Sequence, residues 1–181
     1  VGHSAIRRWV MGDDAYQREA ANHEVAAMAA MVDSAMRAGA LGFSSSQAPT
    51  HLDLADRPVP SRLASLDEIR SLADAVGRHG RGSIAHAPQS AVEGISADDR
   101  AFLIELARRG GVPVVTQGLG GRSKVDAPTQ AWEASREFLD RSAAQGTPVY
   151  SLLMTRAFNG PFTLEGGSSR YDGGPLWRDM M

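Results

Sequence analysis

His86 is the residue of this chain whose type and position best suit chemistry at neutral pH. It lies in the stretch Gly82-Ser-Ile-Ala-His-Ala-Pro88, in which Ser83 to Ala85 has the character of a short buried strand. Pro88 stops that strand, because proline has no N–H group for a sheet ladder. His86 therefore ends a strand, which is where folds of alternating strands and helices place their sites. A histidine that only hydrogen-bonds locally within a loop is the alternative.

The other four histidines, His3, His23, His51 and His79, have no close ligand spacing with His86. A catalytic zinc ion needs about three protein ligands and an open position for water. The chain has no cysteine, which excludes disulfides and thiolate metal sites. Residue spacing alone therefore does not assemble a complete metal site.

Strands that could position these residues recur along the chain at a regular interval. The strand markers are His3, Phe43, Ile84, Val115 and Tyr150, separated by 40, 41, 31 and 35 residues. Regular alternation of strands and helices at this pitch predicts βα units and a parallel sheet. An open doubly wound sheet and a (β/α)8 barrel both fit this pattern, so the spacing leaves the two open.

Helix signals fall between these strands. Residues with capping side chains precede apolar residues at helical spacing, and glycines follow them. The predicted helices run over Asn22 to Gly39, Ser65 to Gly80, Ser96 to Gly110, and Asp126 to Gly146. The segment from Ile6 to Tyr16 shows no such pattern and is predicted to be irregular.

A long loop containing three prolines spans Gln47 to Arg62. Loops of this length in compact domains often serve as lids or substrate loops. We expect it to be mobile and to order on ligand binding, and a merely solvated loop is the alternative.

A glycine cluster, Gly118-Leu-Gly-Gly121, follows the strand that begins near Val112. Glycines after a strand can cradle a phosphate, but this cluster matches neither the dinucleotide-binding pattern nor the P-loop pattern. We therefore favour an ordinary glycine-rich loop over an anion-binding turn at these residues.

Composition limits the partners. The 181 residues are 43% hydrophobic and 22% charged with a net charge of −2, which gives no electrostatic basis for binding nucleic acid or an anionic membrane. No apolar run approaches the roughly 18 residues of a membrane span. The lack of cysteine suits a cytoplasmic protein. We expect a small-molecule substrate, no nucleic acid and no membrane.

Several short motifs resemble those of the amidohydrolase superfamily, and specifically its N-acyl-D-amino-acid deacylase branch. The most specific is Gly-Ala-Leu-Gly-Phe-Ser at residues 39–44. The others are Val1-Gly-His-Ser-Ala-Ile-Arg7, Val59-Pro-Ser-Arg62 and Pro175-Leu-Trp-Arg178. The resemblance runs across most of the chain.

This resemblance implies a metal-dependent (β/α)8 barrel, of which residues 1–181 would form a single incomplete domain. The chain would supply about strands 3 to 7, whereas strands 1, 2 and 8 and the family's β-sandwich would be absent. By its place, His86 corresponds to the fifth-strand metal ligand. The implied cofactor is Zn²⁺ and the implied reaction is hydrolysis of an amide or other C–N bond that is not a peptide bond. N-acyl-D-amino acids are the implied substrates of the intact protein, and the fragment alone would be inactive.

The sixth strand departs from the family pattern, since it ends at Gln117 where the family has histidine. A carboxamide is a poorer zinc ligand than imidazole, so we expect at most one tightly bound zinc ion. The predicted substrate-binding residues are Gln117, Ser151, Arg156 and Arg170, of which the arginines could grip a carboxylate.

Two alternatives remain. One is a non-catalytic or metal-free relative that binds a small molecule, which the Gln117 departure favours. The other is a free-standing five-stranded α/β binding domain. An incomplete barrel also has open sheet edges, through which we expect the chain to form a homo-oligomer.

Overall fold

A four-stranded parallel sheet organises the molecule, in a computed structural model that describes residues 1–91, 94–117 and 131–152. Its strands are β1 (Gly42–Ser46), β2 (Ser83–Ala87), β3 (Val114–Gln117) and β4 (Val149–Leu152). Five α-helices accompany them: α1 (His3–Met11), α2 (Asn22–Arg37), α3 (Leu66–Gly77), α4 (Ala97–Gly110) and α5 (Ala131–Ala144). The mixed α/β fold predicted from the strand spacing is confirmed.

Spatial order and chain order coincide in this sheet, which runs β1-β2-β3-β4. A doubly wound sheet reverses its strand order at a switch point, and the described strands contain no such reversal. Consecutive parallel strands joined by helices are instead the arrangement of part of a (β/α)8 barrel. The strand order thus decides between the two architectures that the sequence left open.

The core lies between one face of the sheet and the helices. Phe43, Ile84, Val114 and Val149, one from each strand, are all buried in the same cluster as the apolar residues of α2, α3 and α4. Because side chains alternate between the two faces of a strand, their neighbours point to the opposite face. Tyr150 on that second face is 58% exposed.

Two predicted helix starts are confirmed. The Ser65 hydroxyl accepts a hydrogen bond from the Glu68 backbone N–H at 3.2 Å, and the Ser96 hydroxyl accepts one from the Asp99 N–H at the same distance. Each serine replaces a backbone acceptor that the first turn of a helix lacks, which fixes the entry into α3 and α4.

The segment predicted to be irregular, Ile6 to Tyr16, is helical instead. It holds most of α1, followed by a 3₁₀-helix over Gly12–Tyr16. Ile6 and Met11 are buried on the inner side of α1. The prediction failed because α1 has only nine residues and begins after Gly2 without a capping side chain, so the local signals of a helix start are missing.

His3 also lies differently from expectation, since it begins α1 rather than ending a strand. Only Val1 and Gly2 have strand character: Gly2 forms a parallel bridge with Ser44, and the Ser44 N–H donates to the Val1 carbonyl at 2.8 Å. This short extension places the first turn of α1 at the C-terminal end of β1. None of the described helices is long and apolar enough to cross a membrane.

Candidate active site at the C-terminal ends of the strands

A cavity of about 620 Å³ opens at the C-terminal ends of the strands, the edge at which the sequence predicted chemistry. Contributions come from the start of α1, from all four strands and from the long loop after β1. Its lining includes Gly2, His3, Ser4, Ser44, Ser45, Ser46, Thr50, His51, Ser61, His86, Val115, Gln117 and Leu152. Three histidines distant in sequence, His3, His51 and His86, thus line one cavity.

His86 is 1% exposed, and neither of its ring nitrogens has a hydrogen-bond partner. Its ring packs edge-on against Phe102 of α4, with the ring centroids 5.6 Å apart. Burial lowers the pKa of His86 to about 4, against a smaller opposing effect of the Asp99 carboxylate. The imidazole is therefore neutral at pH 7 and keeps a free lone pair, which is the state in which histidine binds metals. Because His86 is two residues after Ile84 in the same strand, its side chain points to the same, helix-covered face of the sheet.

Polar side chains follow one row across the sheet at this level. Ser45 of β1 pairs in register with His86 of β2, and Thr116 of β3 pairs with Ser151 of β4. One step beyond the last bridged pair of β2 and β3, His86 lies beside Thr116. The hydroxyl oxygens of Thr116 and Ser151 are buried without hydrogen-bond partners. Buried polar atoms left unpaired in this way commonly mark places where water, an ion or a ligand binds.

The row contains one predicted site residue besides His86, namely Ser151. Sequence reasoning missed Thr116, although its position directly before Gln117 at the end of an apolar strand was a usable signal. Gln117 is exposed and lines the cavity. Arg156, Arg170 and the Gly118–Gly121 cluster lie outside the described residues.

A buried network links the cavity to the helices. The Nδ1 atom of His3 lies 2.8 Å from the Ser45 hydroxyl, and its Nε2 atom lies 2.7 Å from a Glu68 carboxylate oxygen. The other Glu68 oxygen accepts a hydrogen bond from Arg7, which also donates to the Arg18 carbonyl at 2.9 Å. The side chains of His3, Arg7 and Glu68 are fully buried. The sequence predicted a helix start at Ser65, close to Glu68, but gave no sign of the distant partners of this carboxylate.

Charge within the network is balanced by one cation and one anion. Burial lowers the pKa of His3 below its usual value, and this outweighs the opposing hydrogen bond to Glu68. Burial would raise the pKa of Glu68, but the hydrogen bonds from His3 and Arg7 outweigh it, so this pKa lies below its usual value. Glu68 is therefore ionised beside Arg7, whereas His3 is neutral.

Two solved structures match this geometry with probability 1.00, a TM-score of 0.62 and 28% sequence identity over 83% of the chain. One is a D-aminoacylase described as defining a novel subset of amidohydrolases, and the other is a D-aminoacylase mutant in complex with 100 mM CuCl₂. This chain is similar to D-aminoacylase. It spans 28% of the length of each matched chain. No family model matches it, and no curated protein sequence does so significantly.

The similarity confirms the family resemblance drawn from the sequence motifs. It also confirms the fold, because the matched region of D-aminoacylase covers most of this chain. The cavity lies at the C-terminal ends of the strands, the edge at which enzymes with a (β/α)8 barrel place their active sites.

A metal ion in the cavity would need several donor side chains such as His, Asp or Glu. His86 fits such a role, since it is neutral, lines the cavity and has no partner on either nitrogen. Yet within the described ranges no group of three or more His, Asp or Glu side chains could hold a metal. The described part of this D-aminoacylase-like chain therefore supplies one suitable donor and not a complete metal site.

The long loop after β1 has more structure than the sequence suggested. Leu52 and Pro58 form an antiparallel bridge, and the Arg57 guanidinium lies 4.4 Å from the centre of the Tyr16 ring. Thr50 and His51, before this bridge, face the cavity. The loop thus contributes to the cavity wall while its far end is held against the 3₁₀-helix that follows α1.

Proposed function

We propose that the intact protein is an amidohydrolase that hydrolyses an amide or related C–N bond, with N-acyl-D-amino acids as substrates. One observation carries the proposal: a buried, neutral histidine with both ring nitrogens unpartnered lines a cavity at the strand ends of a D-aminoacylase-like fold. A buried polar group is costly unless it is satisfied, so His86 is best explained by a ligand that the described chain does not provide.

In this proposal His86 is a metal ligand, and zinc is the metal, with one ion held tightly. When bound, such an ion lowers the pKa of its water to about 7 and polarises the scissile carbonyl. Gln117, at the mouth of the cavity, contacts the substrate. Ser151 contributes a hydroxyl from the same row as His86. Arg156 and Arg170 are proposed to bind the substrate carboxylate through a bidentate guanidinium.

A metal-free binding protein is the second candidate function. Gln117 supports it, because it stands where the family has a metal-binding histidine. The lack of a three-residue donor group within the described ranges supports it as well. Under this alternative the cavity binds a small molecule without turning it over.

The test compares the full-length wild-type protein with His86→Ala and with His23→Ala, which removes an exposed imidazole from α2. Zinc content per chain is measured after extensive dialysis, together with hydrolysis of N-acetyl-D-amino acids and their L-enantiomers. We expect one zinc ion and D-selective hydrolysis in wild type and in His23→Ala, and loss of both in His86→Ala. Ligand binding without zinc or turnover would favour the metal-free alternative.

A second variant tests the sixth strand. Gln117→His restores an imidazole at the position that departs from the family, so zinc occupancy should rise. Two zinc ions per wild-type chain would contradict the assignment of Gln117 to that position.

A further inference from the structure

The Glu68 carboxylate fixes which nitrogen of His3 carries a proton. An ionised carboxylate accepts hydrogen bonds and cannot donate them. Because Nε2 of His3 lies 2.7 Å from Glu68, this nitrogen must be the donor, so Nε2 carries the hydrogen. Arg7 already provides the positive partner of Glu68, and all three side chains are fully buried. A second positive charge on His3 would have no counter-ion in this network.

The neutral Nε2–H form of His3 leaves Nδ1 with a bare lone pair. The Ser45 hydroxyl is 2.8 Å from this atom, so it must donate its only hydrogen to Nδ1. No other hydrogen bond involves the Ser45 side chain within the part of the chain that the structure describes. Its oxygen therefore keeps two lone pairs and has no hydrogen left to offer.

Ser45 lines the cavity and is 9% exposed. It stands beside His86 in the register of β1 and β2. An oxygen that can only accept hydrogen bonds selects a ligand with a donor at that point. A water molecule at this position can donate to Ser45, so a substrate that displaces it must bring an N–H or O–H group.

We propose that Ser45 is a specificity-determining residue that accepts a hydrogen bond from the amide N–H of an N-acylated substrate. This inference rests on the proposed function and adds the feature of the substrate that the site recognises. The chain Glu68–His3–Ser45 discriminates amides from esters, because an ester oxygen in place of the N–H would face the lone pairs of Ser45. Glu68 and His3 are positioning residues, since they act only through the orientation of the Ser45 hydroxyl.

The test measures binding of two matched ligands to the full-length protein after metal removal, so that turnover does not interfere. The ligands are N-acetyl-D-leucine and its ester analogue, in which oxygen replaces the amide N–H. We expect wild type to bind the amide about 10- to 100-fold more tightly, the effect of one well-placed hydrogen bond. Ser45→Ala should lose this preference, and Ser45→Thr, which keeps the hydroxyl, should retain it. Ser71→Ala serves as the control, because the Ser71 hydroxyl donates to the Asp67 carbonyl within α3 and Ser71 does not line the cavity.

A second readout concerns His3 itself. The ¹⁵N chemical shifts of its ring should show a neutral imidazole protonated on Nε2, in wild type and in Ser71→Ala. An imidazolium or an Nδ1–H form at pH 7 would overturn the proposal, because Ser45 would then have a hydrogen to donate. Equal affinity of wild type for amide and ester would also overturn it and leave the proposed function standing. Failure of both ligands to bind wild type would contradict this inference and the proposed substrate class together, whatever the tautomer.

Discussion

The Nε2 atom of His3 lies 2.7 Å from a carboxylate oxygen of Glu68, across 65 residues of sequence. This bond joins the first residue of α1 to the first turn of α3, and the same imidazole contacts Ser45 of β1. Two elements that line the cavity, α1 and β1, are therefore joined to α3 behind them by a single buried polar network.

Removing the charge of Glu68 should destabilise the fold strongly. In Glu68→Gln the Arg7 guanidinium stays buried without its counter-ion, and breaking a buried pair in this way costs about 3–5 kcal/mol. The control is Asp67→Asn, at an adjacent residue whose side chain is 90% exposed and which pairs with Arg70. That surface pair should contribute less than about 1 kcal/mol. Urea denaturation of both variants measures the difference in the free energy of unfolding. Equal losses would show that the buried network contributes no more to stability than the surface pair does.

Stability of the metal-free protein should fall between pH 6.5 and pH 4. The pKa of His86 is about 4 in the folded state against 6.5 for the free side chain, so the unfolded state binds the proton more tightly. The contribution of neutral His86 to the free energy of unfolding is fully present above pH 6.5. It is lost as the pH drops towards 4, by roughly 3 kcal/mol. His3, whose pKa is also lowered, adds to the loss in the same direction.

Denaturant unfolding at pH 7.0, 5.5 and 4.5 checks this dependence. His86→Leu should flatten most of it, whereas His23→Leu, a substitution on the exposed side of α2, should leave it unchanged. The carboxylates of Glu24 and Glu105 do not confuse the result, because their pKa values of about 2 place their contribution below pH 4.5. If the free energy of unfolding of His86→Leu fell with pH as steeply as that of wild type, the pH dependence would come from other groups.

Gly42 should not tolerate a side chain. Its φ is +146°, and a Cβ atom there would lie 1.9 Å from the Ser83 carbonyl oxygen, inside the pairing of β1 with β2. Gly42→Ala should therefore separate the two strands and cost more than about 3 kcal/mol. Gly39→Ala is the matched control, because φ is +101° and nothing lies within 4 Å of the added Cβ. It should cost only about 1 kcal/mol of backbone strain, and a similar loss in both variants would refute the steric explanation.

The contact between Arg57 and Tyr16 should slow the opening of the long loop. Within the loop, the Asp53 N–H donates to the Arg57 carbonyl at 2.9 Å, and the Val59 N–H donates to the His51 carbonyl at 3.3 Å. Tyr16→Leu removes the aromatic ring under Arg57, so hydrogen exchange at these two amides should accelerate about 2- to 10-fold. Trp9→Leu, which changes an 80% exposed ring on α1, should leave their exchange rates unchanged. Exchange that is fast in wild type already would support the mobile lid predicted from the sequence.

Local features of the fold were within reach of the sequence. Ser65 and Ser96 predicted their helix starts because a cap depends on residues only three positions apart. Four of the five strand markers, namely Phe43, Ile84, Val115 and Tyr150, lie in strands, whereas His3 begins a helix. The glycines that follow the helices are local signals too. The position of His86 at a strand end followed from Pro88, again a neighbour in sequence.

The tertiary structure decided the relationships between residues that are far apart in the chain. The register of four parallel strands brings Ser45, His86, Thr116 and Ser151 into one row, and no spacing along the sequence encodes a register between strands. The helix α1 was missed because it is short and begins without a capping side chain, and nothing in the sequence indicated that its Arg7 guanidinium is buried. Burial of that charge is possible only because Glu68, brought from α3, neutralises it and in turn orients His3 and Ser45. Sequence determined where a site could form, and long-range pairing determined its protonation states and hydrogen-bonding directions.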